Sequence, residues 1–134
     1  MSESENKNVV LRFFENLSTG DIDAALALMD NDAAYWVSRK PKQFPFAGTY
    51  TKQQLAAMLD TVGRAMPNGI TASITATTAQ DDRVAVEAKV SGVPATGKVY
   101  ENKLSYAFEV RNAKIHSGRE YLDTIYANDV LAQQ

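Results

Sequence analysis

The hydrophobic pattern of the chain changes its period about halfway along. Up to residue 66, apolar residues recur every three or four positions, the spacing of one helix face. From Ile70 onward, apolar and polar residues alternate, the spacing of a half-buried strand. Helices followed by a run of hairpin-connected strands predict an α+β fold with an antiparallel sheet.

The first half of the chain predicts three helices. Gly20 ends the first helix, and Asp21 can cap the second. Thr51 begins the third helix, because Gln54 three residues later completes a capping box. The three apolar stripes are Val9, Val10, Phe13, Phe14 and Leu17; Ile22, Ala25, Leu26 and Met29; and Leu55, Met58, Leu59 and Val62.

A short strand and a long loop are predicted between the second and third helices. The stretch DAAYWV, residues 32–37, is rich in the aromatic and β-branched residues that strands favour. Residues 38–50 hold two prolines and a glycine, which predicts a loop. Long ordered loops often wall a binding site. We therefore expect Phe44 or Phe46 to line the entrance of a pocket.

The second half predicts four long strands. The last of them, KIHSGREYLD, covers residues 114–123, and the pair Asn112 and Ala113 is short enough to connect it to the preceding strand as a hairpin. The alternating apolar positions of the other three strands are Ile70, Ala72, Ile74 and Ala76; Val84, Val86, Ala88 and Val90; and Leu104, Tyr106, Phe108 and Val110.

Length and charge restrict the kind of protein. A chain of 134 residues predicts one domain over residues 1–134, with polar residues 1–6 as a flexible tail. The formal net charge of −2 argues against a nucleic-acid or anionic-membrane partner. No segment has the roughly 20 apolar residues of a membrane span. The opening residues lack the apolar stretch of a signal peptide, so we expect a cytoplasmic location.

The absence of cysteine removes disulfides, thiolate nucleophiles and cysteine-bound zinc from consideration. One histidine in the whole chain also argues against a histidine-rich metal site and a Ser-His-Asp triad. We therefore expect neither a metal nor another cofactor.

Three stretches carry a resemblance to a known superfamily: VVLRFFENLSTGDIDAALALMDNDAAYWV at residues 9–37, FAGTYTKQQLAAML at 46–59 and YAFEVRNAKIHSGREYLDT at 106–124. The chain resembles the SnoaL-like, nuclear transport factor two-like proteins, which include ketosteroid isomerase, limonene epoxide hydrolase and polyketide cyclases. The resemblance implies a cone-shaped fold, in which three N-terminal helices pack on a curved, mixed and mainly antiparallel sheet. It also implies a pocket at the wide end of the cone and a homodimer through the outer sheet face.

The comparison with ketosteroid isomerase implies a loss of that enzyme's reaction. The positions of its oxyanion-hole tyrosine, its oxyanion-hole aspartate and its basic aspartate are matched by Phe13, Tyr106 and Val37. The isomerase depends on a basic carboxylate and on hydrogen-bond donors to the oxyanion, and neither phenylalanine nor valine can donate or accept a proton. Tyr106 is either a hydrogen-bond donor to an oxyanion or a core tyrosine with a satisfied hydroxyl.

The comparison with the epoxide hydrolases implies a catalytic set. Their Arg-x-Asp stretch is matched by Glu87 to Lys89, their remaining aspartate by Glu120, and a water-holding tyrosine by Tyr35. If Glu87 and Lys89 point inward, the three charged groups form a coupled acid/base site, and Val84, Val86 and Val90 lie on an outer face that a dimer would cover. The alternation by itself favours the opposite arrangement, with Glu87 and Lys89 as a solvated pair.

Within residues 117–124, the period of two predicts that Glu120 points inward and that Arg119 and Asp123 lie on the other face. Two functions stay open: an acid/base isomerase, cyclase, lyase or hydrolase acting on a small hydrophobic substrate, and a non-catalytic dimeric ligand-binding or association module. The catalytic candidates are Glu120, Lys89 and Glu87, and the substrate-binding candidates are Tyr35, Tyr106, Phe46, Met58 and Phe13.

Overall fold

The computed structural model describes residues 2–132, which form an α+β fold with helices at the N-terminus and a curved, mixed sheet. The helices are α1 (Glu3–Ser18), α2 (Ile22–Leu26), α3 (Lys52–Ala65) and α4 (Thr124–Ala127), followed by a π-helical turn (Asn128–Ala132). The strands are β1 (Met29–Val37), β2 (Gly48–Thr51), β3 (Ile70–Gln80), β4 (Arg83–Gly92), β5 (Tyr100–Arg111) and β6 (Lys114–Tyr121).

The first helix starts earlier than the sequence pattern suggested. The Ser2 hydroxyl accepts a hydrogen bond from the backbone N–H of Glu5 at 3.1 Å, and the Glu5 carboxylate accepts one from the Ser2 N–H at 3.3 Å. This capping box satisfies two of the free donors at the helix start. Asn6 is buried and donates to the Asp81 carbonyl at 3.3 Å. Residues 3–6 are therefore helical, and the prediction of a tail over residues 1–6 was wrong for them, while Met1 lies outside the described residues.

The capping box predicted for the third helix is confirmed. The Thr51 hydroxyl accepts from the Gln54 N–H at 3.2 Å, and the Gln54 side chain accepts from the Thr51 N–H at 2.9 Å. This arrangement fixes the start of α3 directly after β2.

The six strands lie in the order β2-β1-β6-β5-β4-β3. Only the β1–β6 pair is parallel among the described strand pairs, so the sheet is mixed and mainly antiparallel, as expected. The sequence pattern missed β2, because Pro41 and Pro45 just before it gave the whole segment the composition of a loop. The predicted hairpin at Asn112 and Ala113 is confirmed, and both residues have the positive φ that a tight type I′ turn requires.

The inner face of the sheet packs against α1. Phe13 and Phe14 on the helix meet the ring of Phe108 on β5 edge to face, with centroids 6.0 and 5.8 Å apart. Along β4 the residues buried in this core are Val84, Val86, Ala88 and Val90. The alternative with these valines on the outer face was therefore wrong. Their burial removes apolar surface from water, and the period of two then sends their neighbours outward.

Within residues 2–132, no helix is long and apolar enough to cross a membrane.

Candidate functional site

A cavity of about 490 Å³ lies between the concave face of the sheet and the helices α1 and α3. The loop before β2 and the C-terminal residues Leu122 and Leu131 also contribute to its wall. Most of the lining is apolar or aromatic, which is typical of a site for a small molecule with few polar groups.

Glu120 on β6 is the polar centre of this cavity. Its backbone lies opposite Tyr106 on β5 and Val37 on β1, two buried residues of the inner face. The side chain of Glu120 therefore points inward, and it lines the cavity. The hydroxyl of Tyr35 on β1 donates a hydrogen bond to Glu120 Oε1 at 2.5 Å.

Burial raises the pKa of the Glu120 carboxyl above its usual range, and the hydrogen bond from Tyr35 opposes part of that rise. The other charged residues that line the described cavity, Asp60 and Arg64, form an ion pair at 2.8 Å on the exposed surface of α3. Arg64 is the one cationic residue of the described lining, and it pairs with Asp60 at the solvent side. Glu120 therefore has no cationic partner among the described cavity-lining residues. Its carboxyl is suited to exchanging a proton with a ligand.

Tyr106 also lines the cavity, and no side-chain hydrogen bond within residues 2–132 involves its hydroxyl. Burial is the main reason that the pKa of Tyr106 lies well above its ordinary value, and the charge of Glu120 raises it further. The same two causes act on the pKa of Tyr35. Both tyrosines therefore keep their protons and act as hydrogen-bond donors.

Gly118 makes room for this arrangement. A Cβ atom at residue 118 would lie 2.7 Å from Cδ2 and 3.0 Å from Cε2 of Tyr35, and 3.1 Å from Cε1 of Phe108. These distances are shorter than ordinary carbon–carbon contacts. The ring of Tyr35 thus rests on the backbone of β6, two residues before the carboxyl group that its hydroxyl contacts.

The three predicted catalytic residues do not come together. Glu87 and Lys89 are exposed on the outer face of β4, and Lys89 Nζ pairs with Glu101 Oε1 at 2.8 Å. The prediction of an inward Glu–Lys–Glu set was wrong, because the apolar residues of β4 occupy the inner positions. Only Glu120 of that set lines the cavity.

The other charged residues of the closing strand lie away from the cavity. Arg119 points to the outer face, as predicted, and its Nη1 contacts Glu109 Oε1 at 3.5 Å. Asp123 lies beyond the end of β6, where its carboxylate accepts from the Tyr126 N–H at 3.1 Å and caps α4.

All five predicted substrate-binding residues line the cavity; they are Tyr35, Tyr106, Phe46, Met58 and Phe13. That they bind a ligand stays a prediction. Phe44 lines the cavity as well, and its ring meets that of Phe46 edge to face at 5.7 Å. The loop after β1 therefore supplies a wall of the cavity, as the sequence led us to expect.

One polar residue of the cavity, Tyr100, was not predicted from the sequence, and neither was the buried Asn102 that holds it. Tyr100 is 2% exposed and lines the cavity, and Asn102 is 5% exposed. Both belong to the inner face of β5, where Tyr100 lies four residues and Asn102 two residues before Leu104. Extending the alternation of that strand towards its start would have placed both residues on the inner face.

The sequence model of the SnoaL-like domain family matches residues 10–117. The chain belongs to the SnoaL-like domain family. The resemblance seen in the sequence is thereby confirmed, and the match includes the elements that build most of the cavity. No curated protein matches the chain.

Solved structures with the same fold cover nearly all of this SnoaL-like domain. An NTF2-like protein from Burkholderia xenovorans LB400 is 29% identical, covers 98% of each chain and has a TM-score of 0.77. Bal32a from a soil-derived mobile gene cassette is 20% identical and has a TM-score of 0.85, with 96% of this chain and 98% of Bal32a covered. TerC, co-crystallised with polyporic acid, is 17% identical at a TM-score of 0.84, again over 96% and 98%. The last two show the fold alone.

No group of three or more histidine, aspartate or glutamate side chains within residues 2–132 is arranged to hold a metal ion. The chemistry that the site itself offers is hydrogen bonding from tyrosines and proton exchange at one buried carboxyl group.

Proposed function

We propose that this SnoaL-like domain binds a small, mostly apolar and uncharged carbonyl compound and transfers a proton at the carbon beside the carbonyl. One observation carries the proposal: Glu120 and Tyr106 lie directly opposite each other on neighbouring strands, and both line an otherwise apolar cavity. A base and a hydrogen-bond donor are thus available side by side, as proton removal next to a carbonyl requires.

In the proposed reaction, the Glu120 carboxylate takes a proton from the carbon next to the carbonyl, the electron pair of the C–H bond forms the C=C bond of an enolate, and the π pair of the carbonyl moves to its oxygen. The hydroxyl of Tyr106 donates a hydrogen bond to that oxygen as it becomes negative. Tyr35 keeps the carboxylate in place through its hydrogen bond to Oε1. Return of the proton from Glu120 to another carbon completes an isomerisation. Attack of the enolate carbon on a second carbonyl of the same molecule forms a C–C bond and an alkoxide, and transfer of the proton from Glu120 to that alkoxide completes a cyclisation.

The electrostatics of the cavity support this role. Burial raises the pKa of Glu120, and a carboxyl group with a raised pKa is a stronger base than an ordinary one. Because the ionised carboxylate is the base, activity should increase with pH as Glu120 loses its proton. The lack of a free cation in the described lining favours an uncharged ligand over an anionic one.

The test measures hydrogen–deuterium exchange of an activated ketone, 2-tetralone, in deuterated buffer by NMR. The parent protein should accelerate exchange at the carbons beside the carbonyl, and Glu120→Gln should lower this acceleration at least a hundredfold. Tyr106→Phe should lower it at least tenfold because the oxyanion loses a donor.

Glu87→Gln, which alters an exposed carboxylate of the outer face, is the matched control and should exchange at the parent rate. Exchange by the parent at the rate of buffer alone would refute proton transfer on this class of ketone. Equal rates in the parent and Glu120→Gln would refute the role of Glu120.

A second candidate function is binding without catalysis. It is favoured by the fact that one of the three expected charged groups lines the cavity and the other two do not. TerC, a structural relative of low identity, was crystallised with polyporic acid, so the shared fold can accommodate an organic ligand. Calorimetric binding of 2-tetralone without any exchange would favour this candidate over the catalytic one.

We also propose a homodimer through the outer face of the sheet. The valines of β4 do not support it, since they are buried in the core. Instead, Trp36 and Tyr121 lie edge to face with ring centroids 5.3 Å apart, and Tyr121 is 44% exposed. Exposed aromatic residues are enriched at protein interfaces. Light scattering should give twice the monomer mass at micromolar concentration, and a monomer mass there would refute the dimer.

A further inference from the structure

We propose that Tyr100 is a second polar anchor of the cavity, which binds a hydrogen-bond acceptor on the ligand other than the one facing Glu120 and Tyr106. The inference rests on the proposed function, because it concerns the ligand of the same cavity. It narrows the ligand class to apolar molecules that carry two acceptor groups.

The directions of the hydrogen bonds around Tyr100 follow from Asn102. The Asn102 amide nitrogen lies 3.2 Å from the Asp123 carbonyl oxygen and 3.0 Å from the Tyr100 hydroxyl. A backbone carbonyl can only accept, so the atom facing it must be the nitrogen. The second N–H of that nitrogen then donates to the Tyr100 hydroxyl. Tyr100 is therefore an acceptor towards Asn102, and its own proton is left to donate elsewhere.

The Tyr100 hydroxyl donates no hydrogen bond to any residue within 2–132, although Tyr100 is only 2% exposed. The side chain lines the cavity, so the cavity is where an acceptor can lie. A buried donor without a partner costs free energy, and a ligand oxygen would remove that cost. Burial also raises the pKa of Tyr100 to about 12, which keeps the hydroxyl protonated at neutral pH.

The ring of Tyr100 is held in place from the side away from the cavity. It stacks on Tyr126 with centroids 5.5 Å apart and planes 10° from parallel. The Tyr126 hydroxyl is fixed in turn, since it accepts from the Glu101 N–H at 2.9 Å and donates to the Val99 carbonyl at 3.1 Å. A donor held by packing and hydrogen bonds is preorganised, so it can discriminate between ligands at little entropic cost.

Tyr100 and Tyr106 are separate binding points of one strand. Both belong to the inner face of β5, six positions apart, with Leu104 between them in the cavity wall. Tyr106 lies opposite Glu120, whereas Tyr100 lies opposite Gly92 near the end of β4. A ligand that gives each hydroxyl its own acceptor needs an apolar body with two acceptor groups, and a ligand with a single acceptor leaves one tyrosine without its own.

The test uses two pairs of rigid ketones that differ by one acetyl group: acetophenone with 1,4-diacetylbenzene, and 2-acetylnaphthalene with 2,6-diacetylnaphthalene. Calorimetry measures their dissociation constants for the parent, Tyr100→Phe and Tyr121→Phe. Tyr100→Phe removes the hydroxyl and keeps the stacked ring. Tyr121→Phe is the matched control, since Tyr121 lies on the outer face and does not line the cavity.

The parent should bind at least one diketone about five to ten times more tightly than its monoketone, the gain expected from one added hydrogen bond. In Tyr100→Phe that preference should disappear, while Tyr121→Phe should keep it. Equal binding of monoketones and diketones by the parent, or an unchanged preference in Tyr100→Phe, would overturn the second anchor and leave the proton-transfer proposal intact. Failure of the parent to bind any of the four ketones would overturn the second anchor, whereas exchange of 2-tetralone decides the proton-transfer proposal separately.

Discussion

Two carboxyl groups on neighbouring strands, Glu120 on β6 and Glu101 on β5, show how strongly the two faces of this sheet differ. Glu120 points into the cavity, where burial raises its pKa against the opposing hydrogen bond from Tyr35. Glu101 lies on the outer face, where the hydrogen bond and the charge of Lys89 lower its pKa. The same chemical group is thus suited to proton transfer on one face and to a solvated ion pair on the other.

The two groups also make stability depend on pH in opposite directions. A group whose pKa is raised in the folded state favours folding below its ordinary pKa, and this contribution is lost as the pH rises through the raised value. Glu120 belongs to this class. A carboxyl whose pKa is lowered favours folding above its ordinary pKa, and its contribution is lost as the pH falls through the lowered value. Glu101 belongs to that class, although its exposure makes the contribution small.

Substitution of Gly118 should have the largest effect on stability, because the ring of Tyr35, whose hydroxyl contacts Glu120, packs directly on this residue. In Gly118→Ala the new methyl group would collide with the rings of Tyr35 and Phe108. We expect a loss of about 1–3 kcal/mol in the free energy of unfolding, the usual cost of overpacking a core. Urea denaturation of the variant and the parent measures it.

Gly63→Ala is the matched control for Gly118→Ala. Gly63 lies inside α3, and a Cβ added there would meet no atom within 4 Å. Alanine favours a helix over glycine by about 0.5–1 kcal/mol, so this variant should be as stable as the parent or more stable. If Gly118→Ala were as stable as Gly63→Ala, the ring of Tyr35 would not rest on β6 as described.

Removing the charge of Glu120 should have a smaller effect, of opposite sign. Glu120→Gln keeps an oxygen that accepts from Tyr35 but removes the buried negative charge. At pH 8 we expect the variant to be more stable than the parent by about 0.5–2 kcal/mol, the range typical of stabilising substitutions. The difference should shrink as the pH falls towards 4, because the parent then carries a neutral carboxyl group as well.

Urea denaturation from pH 4 to 8 measures this difference, with Glu87→Gln as a control on the exposed outer face. The control should follow the parent at every pH. A Glu120→Gln protein that is less stable than the parent at pH 8 would show that the folded protein favours the ionised carboxylate, contrary to the direction of the pKa shift.

Short-range sequence patterns predicted the elements well, because each depends on residues close together in the chain. The apolar stripes of α1 and α3, the capping box at Thr51 and the hairpin at Asn112 are of this kind, whereas Met29, predicted at the end of the second helix, begins β1. The residues of β4 that face the core could also be predicted, since the alternation alone placed Lys89 on the outer face. The resemblance to the hydrolases suggested the opposite arrangement, which would have left four apolar residues of β4 uncovered by the core.

The parts of the site that were missed depend on contacts between distant residues. Tyr35 and Glu120 are 85 positions apart, and the period of a strand gives the face of each residue but not its partner. Tyr100 was missed because the alternation was traced back only as far as Leu104. The residues before it were assigned to the turn that precedes the strand, although β5 begins at Tyr100. The edge strand β2 was missed because its four residues are too few for a periodic signal and because Pro41 and Pro45 give the preceding segment the composition of a loop.

The smallest effect should come from Lys89, and its size separates the two faces most directly. If Lys89 were the buried partner of Glu120, Lys89→Met would cost on the order of 3 kcal/mol at neutral pH, and acidification would restore part of it.

In the structure Lys89 is exposed and pairs with Glu101 on the outer face. We therefore expect the Tm of Lys89→Met to lie within about 2 °C of the parent, as for most surface substitutions. Any small loss should shrink as the pH falls through the lowered pKa of Glu101, because protonation removes its attraction to Lys89. Thermal denaturation at pH 3 and pH 7, with Glu101→Gln as the partner variant, measures both effects. A large loss at pH 7 in Lys89→Met but not in Glu101→Gln would place Lys89 beside another, buried charge and would contradict the separation of the two faces.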